Sequence, residues 1–168
     1  GEATTIPTPP TDPFANLETI AFSHESTVTH QPFSLTMDNL IGGTIRYTTN
    51  GSPPAADSTS YTGAIAVNPP ATIIRAQVFA NDGTPVGRLY TKSYIIADYQ
   101  QTIPVLSIVT DWANLNILHT FPEEHGREWE FPMMMEYFSP DGTSQFNVNA
   151  GIRVHGHFSR LFSPKKSY

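Results

Sequence analysis

The sequence contains no cysteine, few charged residues and no long apolar run. Without cysteine the chain forms no disulfide, and it offers no thiolate as a metal ligand or a nucleophile. Only 14% of the 168 residues are charged, and no apolar run approaches the roughly 18 residues that cross a bilayer. The formal net charge of −6 disfavours nucleic-acid binding, which needs a basic surface. We therefore expect a globular protein with no membrane span and no nucleic-acid partner.

Proline and glycine are plentiful, with 15 and 11 copies, as expected of a loop-rich β protein. The stretch Thr44–Thr49 alternates Ile and Tyr with Thr and Arg, which is the period of a β-strand. Asn50-Gly51 adopts positive φ at little cost and predicts a tight turn after that strand. Pro53 and Pro54 then stop the ladder, because proline has no N–H to donate. We expect the core of a small β domain to form around this strand.

Short strand patterns, separated by turn signals, recur through the first half of the chain. The other candidates are Thr19–Phe22, Phe33–Met37, Ser60–Val67, Thr72–Phe79 and Arg88–Ile96. Within the fourth of these, Ile74, Ala76 and Val78 share one face of the strand. Arg75 and Gln77 lie on the opposite face. Several short strands with frequent turns indicate a β-sandwich.

The second half of the chain has a different pattern. Ile103–Val109 is nearly all apolar and predicts a strand buried on both faces. Asp111 is placed to cap a short helix whose apolar stripe holds Trp112, Leu115 and Leu118. This half therefore mixes strands with a helix.

A hairpin follows the short helix. Phe131–Phe138 predicts an apolar strand, and Asp141-Gly142 closes the turn after it. In the return strand every second residue is apolar and is expected to face inward: Phe146, Val148, Ala150, Ile152 and Val154.

The predicted fold is mainly β and has three parts. Residues 1–15 are rich in Pro and Thr and are interpreted as a linker. Residues 16–98 are expected to form an Ig-like antiparallel β-sandwich. Residues 103–168 are expected to form a smaller, incomplete β-rich α+β segment. The chain begins at Gly1 rather than Met, shows no signal peptide and ends in an apolar tail, so we interpret it as a piece of a longer protein.

Three groups of side chains are candidate sites. His155 and His157 share a strand face, but Arg153 on that face disfavours a divalent ion, so no metal site is expected. Ser159 near these histidines has no neighbouring oxyanion-hole or elbow motif, so no catalytic residue is assigned. Four glutamates lie too close together in sequence to define a glycosidase pair and are interpreted as a solvated loop: Glu123, Glu124, Glu128 and Glu130.

Two resemblances add to this interpretation. Residues 19–96 resemble the Ig-like module at the C-terminus of chitobiase and β-hexosaminidase enzymes, through IRYTTNGSPP, SYTGAIAV, TIIRAQVF and the closing Tyr94. Residues 104–168 resemble the opening of the CotH (spore coat protein H) kinase-like family, through PVLSIVTD, WEFPMMMEYF, AGIRVHGHFSR and PKKSY. The first resemblance implies an Ig-like fold in a secreted bacterial protein.

The second resemblance implies an atypical protein kinase that binds ATP and Mg²⁺. It places the nucleotide phosphates near the following residues: Gly156, Ser159, Arg160, Lys165 and Lys166. The acidic residues that such kinases need for the metal and the catalytic base would lie beyond Tyr168. Positioning and metal-assisted charge neutralisation are both required for phosphoryl transfer. We therefore expect this chain alone to be inactive and to need no cofactor, with ATP and Mg²⁺ binding reserved for a longer parent.

Three functions follow from these expectations. The first is a non-catalytic spacer or interaction module of a secreted or surface bacterial protein, which binds a protein partner or an adjacent domain. The second is the nucleotide-phosphate-binding part of an atypical kinase. The third is a carbohydrate-binding module with a polysaccharide as its partner, which the family's proximity to glycan-active enzymes suggests by analogy.

Overall fold

The computed structural model describes residues 17–98 and 101–156. Strands account for 49% of the structure and helix for 9%, which confirms the mainly β fold class. The strands are β1 (Ile20–Phe22), β2 (Thr27–Thr29), β3 (Phe33–Leu35), β4 (Met37–Asn39), β5 (Thr44–Thr48), β6 (Thr59–Ser60), β7 (Ile65–Val67), β8 (Ala71–Phe79), β9 (Pro85–Ile96), β10 (Val105–Thr110), β11 (Phe131–Phe138) and β12 (Ser144–Ile152). One α-helix, α1 (Trp112–Thr120), and one 3₁₀ turn (Arg127–Trp129) complete the described elements. Within those residues no helix is both long enough and apolar enough to cross a bilayer.

A five-stranded sheet forms the centre of the first half, in the order β2-β9-β8-β5-β6. β2 runs parallel to β9, and the other neighbours are antiparallel. Ile45 of β5 lies opposite Val78 of β8, so the apolar positions of the two strands share one face. Gly51 follows β5 at a φ of 85°, as the Asn50-Gly51 turn predicts.

Two small sheets, β1-β4 and β3-β7, cover that apolar face and complete the sandwich. The core between the layers consists of Ile20, Leu35, Met37, Ile45, Val67, Ile74, Ala76, Val78, Tyr90, Tyr94 and Ile96. Tyr94 is fully buried, and its hydroxyl donates a hydrogen bond to the carbonyl oxygen of His24 at 2.8 Å. The structure is consistent with the Ig-like β-sandwich that the sequence indicates.

The three-stranded sheet β10-β11-β12 packs against the opposite face of the five-stranded sheet. Ser93 of β9 and Ser107 of β10 are both buried, and their hydroxyl groups form a hydrogen bond across this contact. Beside them Val28, Ala97 and Phe138 form a second apolar cluster. The second half of the chain therefore adds a third layer to the sandwich.

Helix α1 begins as predicted, because the side chain of Asp111 accepts a hydrogen bond from the backbone N–H of Ala113 at 2.9 Å. Leu118 is buried against Ile152 and Val154, at one end of the outer face of the three-stranded sheet. Trp112, expected on the same buried stripe, is 68% exposed. The helix thus contacts the sheet mainly through its last turns.

The expected burial of β10 and β12 is wrong over much of their length. Leu106 and Ile108 are 52% and 46% exposed, although a strand buried on both faces was expected. Phe146 and Val148 are 49% and 42% exposed, and Ala150 is exposed too, although all were expected to face inward. The reason is that the sandwich covers one face of this sheet, whereas α1 covers only one end of the other.

Two predicted strands are each divided in two. Phe33–Met37 forms β3 and β4, which belong to different sheets, because the chain crosses between them at Thr36. Ser60–Val67 contains part of β6 and all of β7, with an irregular stretch between them. β2 was not predicted, because three residues are too few to show a period.

Candidate functional site

A cleft of about 210 Å³ lies where the third layer meets the sandwich. Its walls come from the turn after β5, the outer face of β8, the start of α1, and strands β11 and β12. The lining residues are Pro53, Arg75, Asp111, Asn114, Pro132, Met133, Met134, Asn149 and Ala150. Concave sites between packed units, with an apolar base and a few polar groups, are where small ligands usually bind in proteins.

Arg75 is the positively charged residue of the cleft. One guanidinium nitrogen, Nη1, donates to the carbonyl oxygen of Gly51 at 2.8 Å, while the buried Nε has no hydrogen-bond partner within the described chain. Burial lowers the pKa of Arg75, and the carboxylate of Asp111 partly opposes that shift. Among the described residues no carboxylate lies within ion-pair distance of the guanidinium. Arg75 therefore keeps unused donors at the junction.

Gly51 holds the turn after β5 against the third layer. A Cβ atom at this position would lie 2.8 Å from the carbonyl oxygen of Thr110, at the end of β10. The contact is possible because glycine has no side chain, and its positive φ is also one that glycine adopts readily. The turn that the sequence predicts thus also places Arg75 next to Asp111.

Asn114 and Asn149 supply the neutral polar groups of the cleft. Neither side-chain amide bonds to another side chain or to the backbone in the part of the chain that the structure describes. With Arg75 and Asp111 they give one cation, one carboxylate and two amides around an apolar base. This set can donate to and accept from ligand hydroxyl groups, but it holds no nucleophile paired with a base.

The residues that the kinase-like resemblance assigns to phosphate are placed only in part. Gly156 follows β12 at a φ of 110°. Ser159, Arg160, Lys165 and Lys166 lie outside the described residues, so their assignment remains a prediction. Within the described ranges no group of three or more His, Asp or Glu side chains could hold a metal ion.

The other candidate site residues that the structure describes lie on the surface. His155 is exposed, and Arg153 contacts Glu130 at a distance of 4.0 Å between Nε and Oε2. His157 lies outside the described part of the chain. The remaining glutamates of the polar loop are exposed: Glu123, Glu124 and Glu128.

Glu136 is a buried group that the sequence reasoning missed. It is 1% exposed, and Ser144 donates a hydrogen bond to its Oε1 at 2.7 Å. Its Oε2 has no hydrogen-bond partner within the described residues. A signal was available, because Glu136 alternates with Met134 and Phe138 on the face of β11 that packs against the sandwich.

Comparison with known proteins bears on the first half of the chain. No curated protein and no solved structure matches this sequence. The suspected kinase-like resemblance of residues 104–168 has no support from these comparisons. Residues 24–93, from just before β2 into β9, match the model of the Chitobiase/beta-hexosaminidase C-terminal domain family.

Proposed function

We propose that this chain is a non-catalytic interaction module, associated with carbohydrate, of a secreted or surface bacterial protein. Two findings support the proposal. Residues 24–93 match a domain family named after glycan-hydrolysing enzymes, and the match is to their C-terminal domain. The junction cleft offers polar groups suited to sugar hydroxyls without a nucleophile and base for chemistry.

The polar set of the cleft supports a neutral polyhydroxylated ligand. Arg75 and Asp111 carry opposite charges, so a strongly anionic or cationic ligand would be repelled by one of them. Asn114 and Asn149 each offer both a donor and an acceptor, which matches the dual character of a sugar hydroxyl. Trp112 begins α1 directly after Asp111 and is largely exposed, so its ring is available to stack on a sugar.

Titration followed by NMR tests this proposal. Soluble chitin, cellulose and peptidoglycan oligosaccharides would be added while backbone amide shifts are recorded. We expect shifts at the cleft for at least one series, and Asn114→Ala or Asn149→Ala should weaken binding by roughly three- to tenfold. Asn147→Ala is a matched control, because Asn147 lies two residues along β12 and outside the cleft. The absence of shifts with all three series would contradict the carbohydrate role.

The spacer role is a separate part of the proposal. We propose that residues 1–15 act as a linker, that 16–98 are the Ig-like unit and that 103–168 begin a second unit. The supporting observation is that the second region packs on the sandwich through buried side chains. A module built this way would hold an adjacent domain at a fixed orientation. The expected partner is that domain or another protein.

A kinase-like parent is the second candidate. It is supported by the positive φ of Gly156, four residues after the end of β12, which suits a turn that approaches phosphates. In this proposal Ser159, Arg160, Lys165 and Lys166 contact the nucleotide. For the chain as given, calorimetry with ATP and Mg²⁺ should show binding no tighter than on the order of millimolar. Micromolar affinity that is lost in Lys165→Ala or Lys166→Ala would favour the kinase-like role instead.

A further inference from the structure

β12 is an unprotected edge strand. It lies at the end of the sheet order β10-β11-β12, and within the described chain it pairs only with β11. Its nine residues, Ser144–Ile152, include no charged residue and no proline. Charged side chains, prolines and bulges are the devices by which natural proteins prevent another strand from pairing with such an edge. β12 has one of these devices, an irregularity at Gln145 where its pairing with β11 shifts register, and it lacks them from Phe146 to Ala150.

The exposed side chains of β12 are apolar on one face. Phe146 and Val148 are 49% and 42% exposed, and Phe146 stacks on Tyr137 of β11 with ring centroids 5.4 Å apart. On β10, at the other edge of the sheet, Leu106 and Ile108 extend the same face. An added strand beside β12 would cover part of Phe146 and Val148 as well as satisfy backbone groups.

We propose that β12 pairs antiparallel with β12 of a second copy of this chain, about a twofold axis at Val148. This inference does not rest on the carbohydrate role, although Asn149 and Ala150 of the paired stretch also line the cleft. The sequence places an asparagine on each side of Val148. Antiparallel pairing then sets Val148 opposite the other copy's Val148, and Asn147 opposite the other copy's Asn149. Phe146 faces the small Ala150.

The occupant is a second copy because the pattern complements itself. Phe146 meets the small Ala150 of the other copy, each asparagine meets an asparagine, the two Val148 side chains meet on the axis, and no like charges are brought together. Charged groups begin at Gly151, where the carboxylate of Glu130 lies against the glycine, and continue at Arg153, which contacts Glu130. At the other end Thr143 forms a β-bridge with Thr27, which limits the free edge to the residues after it. The paired stretch is therefore Phe146 to Ala150.

Sedimentation velocity over a wide range of concentrations tests the proposal. The wild-type chain should show twice the mass of one chain as concentration rises, and Val148→Lys should remain monomeric. Ile108→Lys is the matched control, since Ile108 has similar exposure on the same face but lies on β10. It should dimerise like the wild type. Equal disruption by Ile108→Lys would show that the sheet face, and not the edge, is the interface, and would overturn the proposal.

Disulfide crosslinking gives a second test, in which the dimer is detected by a new bond rather than by the loss of an interaction. The chain has no cysteine, so Val148→Cys introduces a single thiol. Two cysteines that face each other across the axis should form an intermolecular disulfide under mild oxidation, and Ile108→Cys should form far less. Equal crosslinking of both variants would contradict the predicted register.

A variant that lacks residues 157–168 gives a further test. If the full chain is monomeric at every concentration and only this shortened chain dimerises, the removed segment competes for the edge, and the proposal is overturned.

Discussion

The Oγ atoms of Ser93 and Ser107 lie 2.9 Å apart in a buried hydrogen bond between β9 and β10. This bond joins the outer face of the sandwich to the third layer, and the backbone N–H of Ser93 is bonded in turn to the hydroxyl of Ser26. The third layer is thus held by polar as well as apolar contacts. Removing the hydrogen bond between Ser93 and Ser107 should therefore lower the free energy of unfolding.

Ser107→Val should lower the free energy of unfolding by about 1–3 kcal/mol, because it leaves the hydroxyl of Ser93 buried without a partner. Urea unfolding followed by circular dichroism measures the change. Thr120→Ala removes an exposed hydrogen bond to the carbonyl oxygen of Asn116 and serves as the control. It should change stability by less than about 0.5 kcal/mol. Similar losses of unfolding free energy in both variants would mean that the buried serine pair stabilises the fold no more than an exposed hydrogen bond does.

Gly142→Ala should be strongly destabilising, by about 2 kcal/mol or more. A Cβ at this position would lie 2.1 Å from the carbonyl oxygen of Val28, in addition to the strain of a φ of 83°. Gly42→Ala separates the two effects, since Gly42 has a φ of 85° and no atom within 4 Å of its Cβ position. That control should cost only about 1 kcal/mol in a thermal unfolding experiment. Equal costs would show that Gly142 does not press against β2.

Tyr94 should make the fold sensitive to alkaline pH. Its pKa lies above the usual value, mainly because burial disfavours the phenolate, with the carboxylates of Glu25 and Glu136 acting in the same direction. The folded state therefore keeps this proton when the unfolded chain loses it near about pH 10, so stability present below that pH is lost as pH rises. Urea midpoints should fall more steeply above about pH 10 in the wild type than in Tyr94→Phe. Parallel pH profiles would count against this role.

Asp111 should contribute separately to stability and to binding. Asp111→Ala removes the cap of α1 and should cost about 1 kcal/mol in chemical unfolding. Asp111→Asn retains a capping oxygen, so its stability should remain close to that of the wild type. Both variants remove the carboxylate of the cleft and should weaken a bound oligosaccharide alike. Loss of binding in Asp111→Ala alone would mean that the helix position matters and the charge does not.

The sequence predicts the sandwich well because its signals are local. The Asn50-Gly51 turn and the alternation of Ile74 with Ala76 depend on neighbours in the chain, and both appear in the structure as predicted. The third layer is harder to predict. A period of two divides the residues of β12 into two sets but does not say which set another layer will cover. The alternation therefore predicts an inward position for Phe146 and Val148, and the structure exposes both.

The same limit applies to the cleft, because local sequence patterns do not show which segments pack together. Arg75 is correctly expected on the face of β8 away from the core, and Asp111 is correctly expected to cap a helix. Their proximity arises from packing between segments that are far apart in sequence, and neither residue type by itself indicates it. Glu136 is a comparable case, because one acidic residue in an apolar strand gives no sign of the serine that binds it.

The approach of Gly51 to Thr110 has a consequence for protein engineering. A designer who grafts the domain of residues 24–93 onto a new neighbour could preserve its interior and still lose the orientation between the two. A donor domain with any side chain at this position would be pushed away from the strand that ends at Thr110. A domain placed beside this third layer therefore requires glycine at that position.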